Sequence, residues 1–381
     1  AQSIRRRFNP MPEPRFLQIH TLTSYTAALL NRDDSGLAKR LTYGGSLRTR
    51  ISSQCLKRHW RKADDPHALH AIDGADAAFR SRELVTRKVL GGLMPEDVVE
   101  AIQPSFQKAV YGDKGTTKQA RQTLLFGERE ISWLRGEAER LIAEAAGDPK
   151  VAAKAAEQWG KDFKKNISAM RDGVSLPGGL TAALFGRMVT SDTSANITAP
   201  VHVAHAFTVH GEESESDYFT AVDDLSEDEP GADTIQETEL TSGLFYGYVV
   251  VDLSGLAKNL GPAAPDLAGP VLHNLVHLIA EVSPGAKLGS TAPYGRAGLM
   301  LLEAGDRQPR SLAEAFRDPC APSMASASEA LAGHLAALDA AYATGEERRM
   351  LSVRNTPFDG AERGTLKELA DWAAALPARL S

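Results

Sequence analysis

Strand-like and helix-like stretches follow one another in this chain in an order that few folds accommodate. "RFLQIHTLTS" (15–24) is short and rich in branched and aromatic residues, the pattern of a strand. Asn31 to Gly45 is loop-like, broken by "NRDDSG" and "YGG". "SLRTRIS" (46–52) alternates, with Arg48 and Arg50 on one side of an extended segment and Leu47 and Ile51 on the other. A helix follows, with Ser52 or Ser53 as its N-cap. Residues 64–180 are mainly helical in pattern, "AAFRSRELVTRKVLGGL" and "WLRGEAERLIAEAA" most clearly. "VHVAHAFTVHG" (201–211) returns to strand. "GLFYGYVVVDL" (243–253) is a strong strand, "GPVLHNLVHLIAEV" (269–282) a helix and "GLMLLEA" (298–304) a last strand. Ala-rich stretches at 311–344 and 365–380 read as C-terminal helices, and no internal repeat is present.

With the helical insertion 64–180 removed, the order is strand, helix, strand, strand, helix, strand. That predicts an α+β chain with a ferredoxin-like core, the plan of RNA-recognition domains. The insertion then sits between the first helix and the second strand. Residues 211–240 form a projecting loop or hairpin between the second and third strands.

Charge is divided along the 381 residues, whose net charge is −6. Residues 1–62 hold 13 Lys and Arg against Glu13, Asp33 and Asp34, a surplus of ten, so the rest of the chain totals −16. Residues 211–240 hold 12 acids and no Lys or Arg. Such a division predicts a polyanion site on one surface. At 43% hydrophobic and 24% charged, the composition is that of a soluble globular protein, and no apolar run approaches the roughly 18 residues of a membrane span. "AQSIRRRFNP" lacks the apolar stretch of a signal peptide and reads as a remnant or flexible arm. Cys55 and Cys320 fit no metal spacing and read as reduced thiols of a cytoplasmic protein.

The densest cationic segment is "RISSQCLKRHWRKA" (50–63). At helical spacing Gln54, Lys57, Arg58 and Arg61 share a flank, while Leu56, Trp60 and Ala63 form a packing flank. A phosphate at the helix start meets amides, two serine hydroxyls and several cations; a solvated helix face is the plainer alternative. Asp33-Asp34 and Asp223-Asp224 can hold Mg²⁺ in a nuclease or can cap turns. His273 and His277 have zinc-ligand spacing, but "HNLVH" lacks the glutamate of a metalloprotease, so core or hydrogen-bonded histidines are expected. Tyr218 and Phe219 are aromatics in a hydrophilic projection, a pattern of contact. No metal site, cofactor or catalytic triad is expected from spacing.

"FLQIHTLTSYTAALLNRDDSGLAKRLTYGGSLRTRISSQCLKRHWRKA", followed by "FGRMVTS", "AHAFTVHGEESESDYFTAVDDL", "SGLFYGYVVVDL" and "PGAK", resembles the CasC-type backbone subunit of the type I-E CRISPR Cascade complex. The similarity runs from about residue 15 to 305. The resemblance implies a palm at 15–63, 181–210 and 241–310, helical fingers at 64–180, a β-hairpin thumb at 211–240 and a C-terminal helical segment at 311–381. It implies Arg32 and Lys39 on phosphate, with Ser52, Gln54, Lys57, Arg58 and Arg61 along the guide backbone. It implies Arg187 and Met188 beside a distorted nucleotide, Lys287 near RNA, and Phe219, next to Tyr218, as a thumb wedge. Tyr218 stands where some members have tryptophan.

The resemblance also implies partners: CRISPR RNA, target DNA paired through the guide, further copies head to tail, and other Cascade subunits, with no membrane. Base order is then read by the RNA while the protein grips its backbone. Glu212, Glu213 and Glu215 are expected to face solvent or a neighbouring copy's cations. Two rivals remain open. One is a metal-dependent ribonuclease using Asp33, Asp34 and Asp223. The other is an RNA-recognition protein binding through an aromatic sheet face at Phe245 and Tyr246.

Overall fold

The computed structural model describes residues 13–173, 178–189, 195–222, 232–355 and 358–380. The chain forms two units. One comprises Ala1–Ala68, His202–Leu253 and Gly269–Ser381; the other comprises Leu69–Val201 and Ser254–Ala268.

The chain opens with β1 (Phe16–Ala28), β2 (Arg40–Tyr43), β3 (Ser46–Ile51) and α1 (Ser53–Lys62). Next come β4 (Ala78–Ser81), α2 (Glu96–Tyr111), β5 (Leu124–Gly127), α3 (Glu128–Glu144), α4 (Pro149–Gly173) and α5 (Gly179–Phe185). Then follow β6 (Val201–Val203), β7 (Ala206–Thr208), β8 (Glu213–Val222), β9 (Ala232–Asp252), α6 (Leu253–Leu260), α7 (Ala264–Glu281), α8 (Leu288–Thr291) and β10 (Ala297–Gly305). The chain closes with α9 (Met324–Tyr342), β11 (Glu347–Ser352), β12 (Ala361–Arg363) and α10 (Leu366–Ala375). It is thus α+β, with one large sheet and ten α-helices among the described residues.

In the first unit the sheet order is β12-β11-β10-β1-β9-β7-β3-β2, with β8 hydrogen-bonded to β9. β1 is central and antiparallel to both neighbours; Ile19 lies between Leu302 of β10 and Val249 of β9. Alternation sends Ile19, Thr21, Phe245 and Val249 to one face, where Trp60 of α1 and Ile279 of α7 also lie. Leu22, Leu244, Tyr246 and Leu301 go to the other, under Leu312, Phe316 and α9. Covering both faces explains why "GLFYGYVVVDL" is apolar throughout. It also removes the sheet-face rival: Phe245 and Tyr246 are 2% and 1% exposed, so neither can stack a base.

β2 and β3 are joined by Gly44 and Gly45, both with positive φ, in a two-residue hairpin turn. A Cβ on Gly44 would lie 1.6 Å from the Arg317 carbonyl oxygen, so only glycine fits there. Part of the expected 31–45 loop is therefore strand. Arg48, expected to share a side with Arg50, is fully buried and donates to the Thr208 and Phe316 carbonyls at 2.9 and 3.0 Å. The β11–β12 strands were hidden within a tail read as helical. β11 holds Arg348 inside the core, where it faces Glu303 across the ladder and donates to it at 2.8 Å. Arg310 grips the same carboxylate with two bonds of 2.9 Å. His20 Nε2 donates to it at 3.1 Å while His20 Nδ1 accepts from the Tyr246 hydroxyl.

The second unit is mainly helical around a core that includes Ile102, Phe106, Leu134, Ala156 and Trp159. "AAFRSRELVTRKVLGGL" is not the helix its composition suggests. Ala78–Ser81 pairs with Leu124–Gly127, setting Phe79 opposite Phe126, and only Val85–Val89 turns helically. Long-range pairing here overrides local propensity. "WLRGEAERLIAEAA" does lie largely in α3. The expected boundary at 180 moves, because α5 packs against β4 and β5, and Asn259 of α6 donates to the Ala183 and Thr198 carbonyls. Residues 181–201 and 254–268 consequently belong with the helical unit rather than with the palm segments.

Candidate nucleic-acid interface

The loop after β1 is built by its own polar groups. Asp33 Oδ1 accepts from the Ser35 and Leu37 amides at 2.9 and 3.0 Å, the Asx-type turn its position favours. Arg32 bridges to Ala38, which closes the loop and leaves the Arg32 side chain exposed. Asn31 is the hinge pin between this loop and α1. Its side chain accepts from the Ser52 amide at 2.9 Å, and its carbonyl accepts from the Lys39 amide at 2.9 Å. Ser52 caps α1 by accepting from the Cys55 amide. Ser52 and Ser53 are both buried, and the Ser52 hydroxyl accepts at the helix start, which positions α1 beside the loop.

A third segment reaches the same place. The Ala286 amide donates to the Leu29 carbonyl at 2.9 Å, which brings the "PGAK" loop beside the end of β1. The result is an open cleft of about 510 Å³ lined by Arg32, Asp34, Gly36, Arg58, His59 and Gly285, among others. Arg32 and Arg58 are exposed cations there. Lys287 follows in a left-handed conformation and donates through Nζ to Thr238 at 2.5 Å.

Flanking cations form a second group. Arg50 Nη1 lies 2.8 Å from His205 Nδ1. Burial first, then the charges of Arg50, Lys39 and Lys57, hold His205 below the ordinary histidine range. The basic flank of α1 therefore splits: Arg58 belongs to the cleft, and Lys57 to the cluster around His205. Gln54 is exposed and Arg61 half-buried. Burial pushes the Cys55 thiol up, with Arg58 and Lys39 pulling against it, so Cys55 stays a thiol at neutral pH.

Arg187 contradicts its expected role. It is 7% exposed, its Nη1 donates to both Glu130 oxygens at 2.7 and 2.8 Å, and its Nε donates to the Ala195 carbonyl. Glu130 itself also accepts from the Gly127 and Gly178 amides. The guanidinium is taken up by Glu130 and the Ala195 carbonyl inside the second unit. Met188 beside it is 70% exposed.

β8 and β9 form an antiparallel hairpin from Glu213↔Ser242 to Val222↔Ala232. Tyr218 is 62% exposed on it. Phe219 pairs with Gln236 in the ladder; its side chain lies outside the described residues, as does Asp223. Glu212 is paired within its own chain. Arg40 donates to it at 2.5 Å and also bonds Glu239, which fixes the hairpin root within the chain. Sequence reasoning missed Asn31, Arg40 and Arg50. The signals existed, an Asn opening "NRDDSG" and an arginine in each hairpin strand, but nothing local said what each would meet.

A family model described as CT1975-like protein (Cas_CT1975) matches residues 17–374. The chain belongs to this family of Cas proteins. Among solved structures, this CT1975-like chain is similar to a chain of a "CRISPR RNA-guided surveillance complex, pre-nicking". The two are 27% identical with a TM-score of 0.79 over 95% of this chain and all of that one. A chain of a "CRISPR RNA-guided surveillance complex" matches at 22% identity and a TM-score of 0.58, covering 94% of this chain and 98% of that one; this likeness is one of fold. No curated protein matches the chain. Among the described residues, no helix is long and apolar enough to cross a membrane.

Proposed function

We propose that this CT1975-like chain is a non-catalytic, CasC-type backbone subunit of a type I-E CRISPR surveillance complex. It grips CRISPR RNA by its ribose-phosphate chain and aligns head to tail with further copies and with other subunits. The guide is thereby presented to a target DNA strand. The observation that carries this reading is the meeting of "LNRDD", the start of α1 and the "PGAK" loop at one open cleft, with Arg32 and Arg58 in it. Phosphate neutralisation holds a strand without reading its bases. The antiparallel order β10-β1-β9-β7 is that of a ferredoxin-like domain, which supports the RNA-recognition-like palm.

The β8–β9 hairpin is the proposed thumb. Tyr218 on it supplies a face that stacks on any base, a contact worth about 1–3 kcal/mol. A head-to-tail contact does not close and so propagates along the RNA. The nuclease rival loses support because the Asp33 carboxylate is occupied by two amides of its own turn.

The test uses the chain co-expressed with its neighbouring genes. Short RNAs of uniform length with a shared repeat should co-purify. Replacing Arg32 and Arg58 together by alanine should weaken guide binding and shrink the salt slope by about 1.4, at about 0.7 per phosphate contact on a single strand. Failure to retain any CRISPR transcript in dilute salt, or an unchanged slope, overturns the proposal. Mg²⁺-dependent cleavage of guide-paired RNA that is lost in Asp33→Ala supports the nuclease instead.

A further inference from the structure

α7 carries His273 and His277 one turn apart, and the segment after α1 brings His67 against them within the first unit. The His67 and His277 rings lie parallel with centroids 3.6 Å apart; the His273 ring is 5.6 Å from the first and 5.0 Å from the second. One nitrogen of each imidazole lies within 4.8 Å of the other two. His277 is 8% exposed, and its Nε2 has no hydrogen-bond partner. A buried polar atom left without a partner costs about 1–3 kcal/mol, so such an atom points to something that satisfies it.

Each imidazole also has a carboxylate behind it. Glu281 lies 3.2 Å from His277 Nδ1, Asp65 3.3 Å from His67 Nδ1, and Asp371 3.5 Å from His273 Nε2. Ligating histidines in metal sites characteristically give their second nitrogen to a carboxylate, which orients the ring and raises its basicity. An orphaned buried nitrogen and three converging imidazoles backed by carboxylates agree; His273 Nδ1, 3.1 Å from the Asn274 side-chain oxygen, would exchange that contact for an ion.

We propose that His67, His273 and His277 form a structural site for a divalent transition ion of the zinc class, completed by water. Imidazole donors favour zinc, copper and nickel over magnesium or calcium. Zn–N bonds of about 2.0–2.1 Å in a tetrahedron set donor nitrogens about 3.3 Å apart, so the three imidazoles draw together and the parallel His67 ring turns. His67 is the ring placed to do this, since its side chain is 31% exposed. The ion ties the segment that follows α1 to α7 inside the first unit. "HNLVH" lacks the glutamate base of the metalloprotease motif, and the expected effect is the tie between the two segments.

The experiment uses tag-free full-length chain stripped with chelator, then titrated with Co²⁺ and afterwards Zn²⁺. One equivalent of Co²⁺ should give the visible absorption of a low-coordinate, nitrogen-ligated ion, and Zn²⁺ should abolish it. Added Zn²⁺ should raise the melting midpoint, because an ion bound only by the folded state stabilises it by mass action. His67→Gln, at the surface, and His273→Gln should each weaken Zn²⁺ binding at least tenfold with little change in metal-free melting. Substoichiometric binding, or stoichiometric binding that survives both substitutions, overturns the proposal; the second result seats the ion elsewhere.

Discussion

Replacing Glu130 by Gln should destabilise the second unit and leave the proposed RNA cleft intact. Glu130 is 1% exposed and accepts from the Gly127 amide at 3.0 Å, the Gly178 amide at 2.8 Å and Arg187 Nη1 at 2.7 Å. Gln keeps the volume but removes the charge and turns one acceptor into an NH₂ facing donors. Arg187, itself 7% exposed, is left buried without its counter-ion. Breaking one side of such a pair costs about 3–5 kcal/mol. For a unit of this size each kcal/mol lowers the midpoint by about 2–4 °C, so a fall of about 6–20 °C is expected. Calorimetry on the full chain reads the midpoint, and hydrogen exchange in peptides from 124–144 identifies the unit that opens. Replacing Glu130 and Arg187 together by Met should recover only part of the loss: it removes the stranded charge, but the Gly127 and Gly178 amides lose their acceptor at about 1–3 kcal/mol each. Two results refute this account. One is a Glu130→Gln change under about 1 kcal/mol. The other is an Arg187→Ala variant with normal stability and weakened guide binding, which restores the contact role expected from sequence.

Three further outcomes follow from the same geometry. Glu303→Gln should cost about 3 kcal/mol in chemical denaturation, because Arg310 loses its carboxylate and Arg348 keeps only its pairing with Asp339 and Glu346. His20, Arg310 and Arg348 hold the buried Glu303 carboxyl well below the usual carboxylate range. The unfolded chain therefore binds more protons there, and this contribution is present above the unfolded value of about 4.3 and fades as pH falls below it. Burial lowers His20 too, so its share fades below about 6.5, and stability that is flat from pH 7 to pH 3 would contradict both. Arg40→Ala should loosen the hairpin root by about 1 kcal/mol, read as faster exchange in 213–218; an unchanged rate removes its tie to Glu212 and Glu239.

Much of the layout was legible because it is local. Runs of branched and aromatic residues announced β1 and β9, a serine before a basic run announced α1, and the order of the segments carried the family likeness. The fate of individual arginines was not legible. Arg48, Arg187 and Arg348 carry no local sign of burial, yet each is inside. Arg348 points into the core from β11, at a place where alternation calls for an apolar residue. The "AAFRSRELVTRKVLGGL" helix failed for a related reason, its first residues being taken by a partner strand at 124–127.

The sequence by itself determined the element order, the basic front of the chain and the acidic stretch, since neighbours along the chain encode period, caps and charge runs. Only the tertiary structure decided which cations remain for a polyanion and which are used up inside. It decided equally that His67 joins His273 and His277. Burial and pairing depend on residues far away in sequence: Arg187 meets Glu130 across 57 positions, and Arg48 meets Thr208 across 160. A charge becomes a structural partner only when folding removes water from both sides of the pair.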